Sequence, residues 1–64
     1  MPKATFFNLP KEKENKILEA AIDEFTKYSY ENASVNRIVE SADIAKGSFY
    51  QYFVDKKDLY RYII

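Results

Sequence analysis

From Lys11 to Tyr28 the apolar residues Ile17, Leu18, Ala21, Ile22, Phe25 and Tyr28 recur mostly three or four apart, with Lys and Glu among the residues between them. That period gathers them on one broad stripe and predicts a first long helix whose wet face carries the charges. Pro10, which lacks an amide hydrogen and has its φ preset, suits the first turn of that helix. A connection follows from Ser29 to Ala33. The pattern resumes at Ser34, a preferred N-cap, with Val35, Ile38, Val39 and Ala42 at helical spacing, which predicts a second helix from Ser34 or Val35 to Ala42. After a bend at Asp43, Ile44 can plug between two helices, and Phe49 and Phe53, four apart, return a third helix over Lys46 to Phe53 to the same core. Asp55 then caps a fourth helix from Lys56, with Asp58 three residues on in a capping-box arrangement. That helix is still apolar at Leu59, Tyr60, Tyr62, Ile63 and Ile64 and meets no Gly, Asn or Pro stop, so the expectation is a helix interrupted partway. Met1 to Asn8 shows no sustained period and is expected to be a mobile arm, although Phe6 and Phe7 need cover from something.

These elements imply an all-α fold: a three-helix helix-turn-helix bundle, homeodomain-like in outline, plus the start of a fourth helix. The expected organisation is an N-terminal arm over residues 1–10, the helix-turn-helix unit over 11–55, and the opening of helix four over 56–64. The two short helices between Ser34 and Phe53 are joined by a tight turn. With Phe49 and Phe53 inward, the third helix presents Lys46, Gly47, Ser48, Tyr50, Gln51 and Tyr52 outward, a set of small, cationic and hydroxyl groups suited to pressing backbone and short polar side chains against nucleic acid.

Composition narrows the classes. At 64 residues the chain is one small domain near the lower end of what folds without staples. It has no Cys and no His, which removes disulfides, thiol nucleophiles, imidazole bases and the usual zinc sets. No stretch approaches the roughly 18 apolar residues of a membrane span, and residues 1–10 lack the apolar core of a secretory signal, so no membrane partner and a cytoplasmic location are expected. Ten Lys and Arg balance ten Asp and Glu, whereas DNA binders are often basic. Distribution changes that picture. Glu12, Glu14, Glu19, Asp23 and Glu24 crowd the first helix, while Ile44 to Val54 holds a Lys and no acid, so a locally positive face predicts modest affinity for phosphate that fades with salt. Five Phe and six Tyr supply the area that a small core needs.

The run from Ile17 to Leu59, with Tyr60 after it, resembles a known family. Ile17-Leu-Glu-Ala-Ala21, Phe25, Tyr30, Ala33-Ser34, Ile38-Val39, the block Lys46-Gly-Ser-Phe-Tyr-Gln-Tyr-Phe53 and Asp55-Lys-Lys-Asp-Leu-Tyr60 are together similar to the DNA-binding domain of TetR-family transcriptional regulators. Three positions depart from the family habit: Ser29 and Asp43 stand where Gly is usual, and Ala45 where Ser commonly caps the recognition helix. A left-handed Ser29 would cost about 1 kcal/mol, whereas Asp tolerates positive φ better than most residues.

Chemistry and resemblance together nominate ten residues for a double-stranded DNA operator. Lys46 is placed to reach guanine O6 and N7, Gly47 to let the backbone come close, and Gln51 to read adenine. By resemblance, Ser48 meets a phosphate, Tyr50 a phosphate or base edge, Tyr52 a phosphate, and Asn36 a base; for Tyr52 the alternative is packing against the first helix. Ser34 caps its helix and can also donate to a phosphate, Arg37 is a phosphate partner by its chemistry, and Lys56 adds charge to a helix N-terminus. The resemblance further implies a repressor that continues past Ile64 into a helical domain binding a small-molecule inducer and forming a homodimer, with this fragment alone monomeric. No cofactor is implied. Catalysis finds little: Asp55 and Asp58 fit capping, Asp23 and Glu24 lie on a charged face without a cleft, and one Gly cannot cradle a phosphate. The rival is a small protein-interaction module docking through Leu59, Tyr60, Ile63 and Ile64.

Overall fold

A computed structural model describes all 64 residues and contains five helices: α1 (Ala4–Phe7), α2 (Lys11–Lys27), α3 (Val35–Ala42), α4 (Lys46–Tyr52) and α5 (Lys56–Ile63). The last four match the four helices expected from the periodicity, and none is long and apolar enough to cross a membrane. Helix α2 packs along α3 and α5, and α4 lies between α3 and α1. The core they enclose joins Ile17 and Ala21 of α2, Ile38, Val39 and Ala42 of α3, Phe49, Tyr52 and Phe53 around α4, and Leu59 of α5.

Local chemistry sets the ends of these helices. The Ser34 hydroxyl accepts the Arg37 amide at 3.3 Å, the N-cap expected from the sequence. Helix α3 stops at Asp43, which takes φ 59° and ψ 45°, the one positive φ in the chain, so Asp does here what Gly commonly does. Its neighbour Ile44 returns its amide to Val39 O at 3.0 Å and packs half-buried against the core. Ala45 opens α4 with no side-chain cap. Ser29 keeps a negative φ, because α2 ends at an extended Tyr28 (φ −128°); the left-handed conformation and its cost do not arise. At α5, Asp55 Oδ1 accepts the Asp58 amide at 2.9 Å and Asp58 Oδ2 accepts the Val54 amide at 3.0 Å, a reciprocal cap shifted by one residue from the standard box.

Two features differ from the sequence reading. Residues 1–9 are not a loose arm. Phe6 is fully buried, with its ring 4.9 Å from Phe53, 5.9 Å from Tyr62 and 6.5 Å from Tyr52, and Pro2 is buried as well. Four residues are too few to show a helical repeat, so only the apolar pair Phe6-Phe7 signals this docking in the sequence. Glu24, assigned to the wet face, is only 7% exposed. It sits seven residues after Ile17 and three after Ala21, so the helical repeat carries it to the core side, where Arg37 meets it.

Two expectations follow. Phe6→Ala should cost about 3–5 kcal/mol, as for a large ring removed from a packed site, against almost nothing for a mobile arm; denaturant unfolding measures it. Burial would raise the Asp58 carboxyl, but the hydrogen bond from the N-terminal ammonium, the Val54 amide and the positive charges of the N-terminus and Lys3 outweigh it and hold its pKa below the ordinary value. A depressed carboxyl stabilises fully above its unfolded pKa of about 3.9, and that contribution disappears as pH falls through the lower folded value. Asp58→Asn should therefore flatten the acid limb of a stability-versus-pH curve, and an unaltered limb would remove this role.

Candidate nucleic-acid interface

The outward face of α4 is built by inward anchors. Phe49 and Phe53 are fully buried and their rings lie 5.4 Å apart, which rotates the opposite side of the helix to solvent. On that side Lys46, Gly47, Tyr50 and Gln51 are exposed and Ser48 is half-buried. The Tyr50 ring stands edge-on to Phe49 at 5.0 Å, with 41% of the residue left open. Lys46 makes no hydrogen bond or ion pair with the protein, although other cations of the chain are engaged.

Gly47 is informative because nothing explains it from within. Its φ is not positive, and a Cβ built on it meets no atom within 4 Å. Alanine would therefore fit and favour the helix by about 1 kcal/mol. A glycine at an exposed helix position where the fold leaves open space matches a surface that something outside the protein approaches closely.

The start of α3 is held by a charged network. The Glu24 carboxylate accepts from Arg37 Nε at 2.8 Å and from the Ser34 amide at 2.9 Å, and forms an ion pair with Arg37 Nη2 at 2.8 Å. Arg37 Nη2 also donates to Asn32 O at 3.0 Å, and the guanidinium lies 4.1 Å from the centre of the Tyr28 ring. One buried acid thus ties the end of α2, the connection and the first turn of α3 together. Asn36 projects from that turn with its side chain free and exposed, and the half-buried Ser34 uses its hydroxyl on the cap.

Lys56 is fastened in a comparable way. Its ammonium donates to Tyr30 O at 2.7 Å and Ala33 O at 3.1 Å and lies 4.5 Å from the centre of the Tyr30 ring, which itself packs on Tyr60 at 4.8 Å. The connection between α2 and α3 is therefore clamped from both sides, by Arg37 and by Lys56.

Of the ten nominated residues, Lys46, Gly47, Ser48, Tyr50 and Gln51 share the α4 surface, and Ser34 and Asn36 lie at the start of α3. Three are used differently from the expectation. The Arg37 and Lys56 side chains bond to groups of the protein itself, a buried carboxylate and a loop carbonyl for Arg37, which stays 45% exposed, and two loop carbonyls for Lys56. Tyr52 is buried against Phe6 of α1 rather than against α2. Its hydroxyl has no protein partner, and since no buried side-chain oxygen is left unpaired, that hydroxyl reaches solvent. The rival docking edge is largely spent: Leu59 is fully buried, Tyr60 packs on Phe25 at 5.0 Å, Ile63 is half-buried, and Ile64 is exposed.

Comparison with known proteins agrees with this geometry. Residues 17–63 match the family described as bacterial regulatory proteins, tetR family. The chain is 58% identical to a TetR family transcriptional regulator from Chloroflexus aurantiacus J-10-FL, whose crystal structure superimposes with a TM-score of 0.92 over 97% of this chain and 29% of that one. It is 43% identical over 49 residues to the HTH-type transcriptional regulator YuxN of Bacillus subtilis (strain 168), covering 77% of this chain and 17% of that protein. It is 41% identical over 54 residues to an HTH-type transcriptional regulator of Staphylococcus aureus (strain USA300), covering 84% and 29%. The chain thus spans less than a third of the length of each of these relatives. A match over most of its residues, with the same fold at high identity, shows that the chain belongs to the tetR family of bacterial regulatory proteins, as that family's N-terminal helix-turn-helix DNA-binding domain.

Proposed function

We propose that this domain reads a specific operator as the DNA-binding head of a cytoplasmic transcriptional repressor, with α4 seated in the major groove. Lys46, Gln51 and Asn36 contact base edges, Gly47 lets the backbone of α4 close on the duplex, and Ser34, Ser48, Tyr50 and the Tyr52 hydroxyl donate to phosphates. Arg37 and Lys56 act indirectly, by fixing the loop that sets the start of α3. The observation that carries this reading is the open space at Gly47 beside the unpaired Lys46 ammonium, on a helix face with no acidic residue. Relatives about three times as long support a larger protein in which a further helical domain binds an inducer and pairs two copies. A pair of recognition helices would then meet two half-sites about one helical turn apart.

Enrichment of bound duplexes from a random pool tests the reading directly, and a pool that stays random at low salt contradicts it. With an enriched duplex in hand, Gly47→Ala should raise the stability of the free protein by about 0.5–1 kcal/mol while weakening binding, so that unfolding and titration move in opposite directions. Equal affinity in parent and variant would remove the close backbone approach. Lys46→Ala should lower affinity and relax preference at one base pair by about 1–3 kcal/mol, read by competition with single-base variants; an equal loss on specific and random duplexes would demote Lys46 to a phosphate contact.

A further inference from the structure

The last amide bond of α4 runs from Phe53 N–H to Phe49 O at 2.9 Å, and the Val54 amide turns away to Asp58. The carbonyls of Tyr50, Gln51 and Tyr52 therefore have no amide of their own helix to accept from. All three are taken by the N-terminal segment. Lys3 Nζ donates to Tyr50 O at 2.8 Å, the Thr5 hydroxyl donates to Gln51 O, and the Lys3 amide donates to Tyr52 O at 2.8 Å.

We infer that residues 1–6 are a C-cap supplied to the recognition helix from a distant segment of the same chain, with Lys3 and Thr5 as positioning residues for the Tyr50 and Gln51 side chains. The inference rests on the DNA reading proposed above and deepens it. An ordinary helix closes its last carbonyls with a following glycine, with water or with a nearby cation. Helix α4 is followed by the extended Phe53, whose φ of −132° sends the chain away toward α5, so no local cap forms. The segment that replaces it is fastened at both ends: Phe6 is sunk in the core against Phe53, and the Met1 ammonium pairs with Asp58 at 2.7 Å. The Lys3 ammonium also places positive charge at the negative end of the helix dipole.

The consequence is local. Tyr50 and Gln51 project from the turn whose carbonyls these residues hold, whereas Lys46 and Gly47 project from the opposite end, fixed by the turn at Asp43. Loosening the cap should blur the part of the operator met by Tyr50 and Gln51 and leave the part met by Lys46 and Gly47 intact.

The test compares the parent, the double variant Lys3→Met with Thr5→Val, and Thr5→Ser, all of which keep Phe6 in place. Hydrogen exchange on the free proteins should show about fivefold weaker protection at the amides of Gln51, Tyr52 and Phe53 in the double variant, with little change in α2 and near-parent values in Thr5→Ser. Base preferences from random-pool selection should flatten at the positions contacted by Tyr50 and Gln51 only. Unchanged protection at residues 51–53 overturns the cap, whatever the DNA results. Weakened protection alongside the parent's base preferences overturns the positioning role, and because the parent's own selection is run in parallel, that result leaves the DNA reading standing.

Discussion

A helix of seven residues makes so few amide bonds of its own that it cannot persist alone in water, so α4 is helical only because the rest of the chain holds it in that shape. Phe49 and Phe53 anchor one side in the core, the left-handed Asp43 sets the direction of approach, and α1 covers Tyr52. Every exposed group on α4 inherits its position from these supports. A short, externally braced helix leaves one whole face free of packing duties, and that freedom lets Gly47, a poor helix former, occupy a position where the core makes no demand. The cost in helix propensity falls where packing against the core can offset it.

The Glu24 and Arg37 pair illustrates a second trade. Burying the Glu24 carboxylate is expensive, and the Arg37 side chain that offsets the cost stays 45% exposed, so the pair adds little net stability. What the pair contributes is definition. A carboxylate that accepts the Arg37 Nε hydrogen and the Ser34 amide and pairs with Arg37 Nη2 has few alternative geometries, so the start of α3 and the exposed Asn36 beside it are held in one orientation. Lys56 does the same from the side of α5 with point-charge contacts to two carbonyls, and the Tyr30 ring meets both the cation and, at a tilt, Tyr60. The loop joining α2 and α3 is thereby ordered without a glycine, which is how Ser29 and its neighbours avoid a left-handed turn.

Much of this was legible in the residues. Periodicity placed α2 to α5, the Ser34 and Asp55 caps followed from side-chain chemistry, the left-handed Asp43 from the family resemblance, and the outward set on α4, apart from the buried Tyr52, from assigning Phe49 and Phe53 inward. What escaped was tertiary. The docking of residues 1–9 depends on a groove between α4 and α5 that exists only after those helices pack, and no local pattern encodes it. The fates of Arg37 and Lys56 depend on which acceptor folding brings nearest, so their chemistry correctly identified an anion or carbonyl partner while leaving open whether that partner lay inside or outside the protein. Glu24 was readable from its spacing to Ile17 and Ala21, but its charge argued against burial until its partner was known.

The neutral net charge acquires a physical meaning from these commitments. Salt dependence of DNA binding follows the number of phosphates neutralised by cations, because each releases a condensed counterion. With Arg37 bound to Glu24, Lys56 bound to loop carbonyls and Lys3 on the end of α4, the cation left free on the α4 face is Lys46, and the remaining donors there are hydroxyls, amides and a carboxamide. Neutral donors fix register without releasing many ions. Recognition on this face therefore draws more on the geometry of neutral donors than on charge.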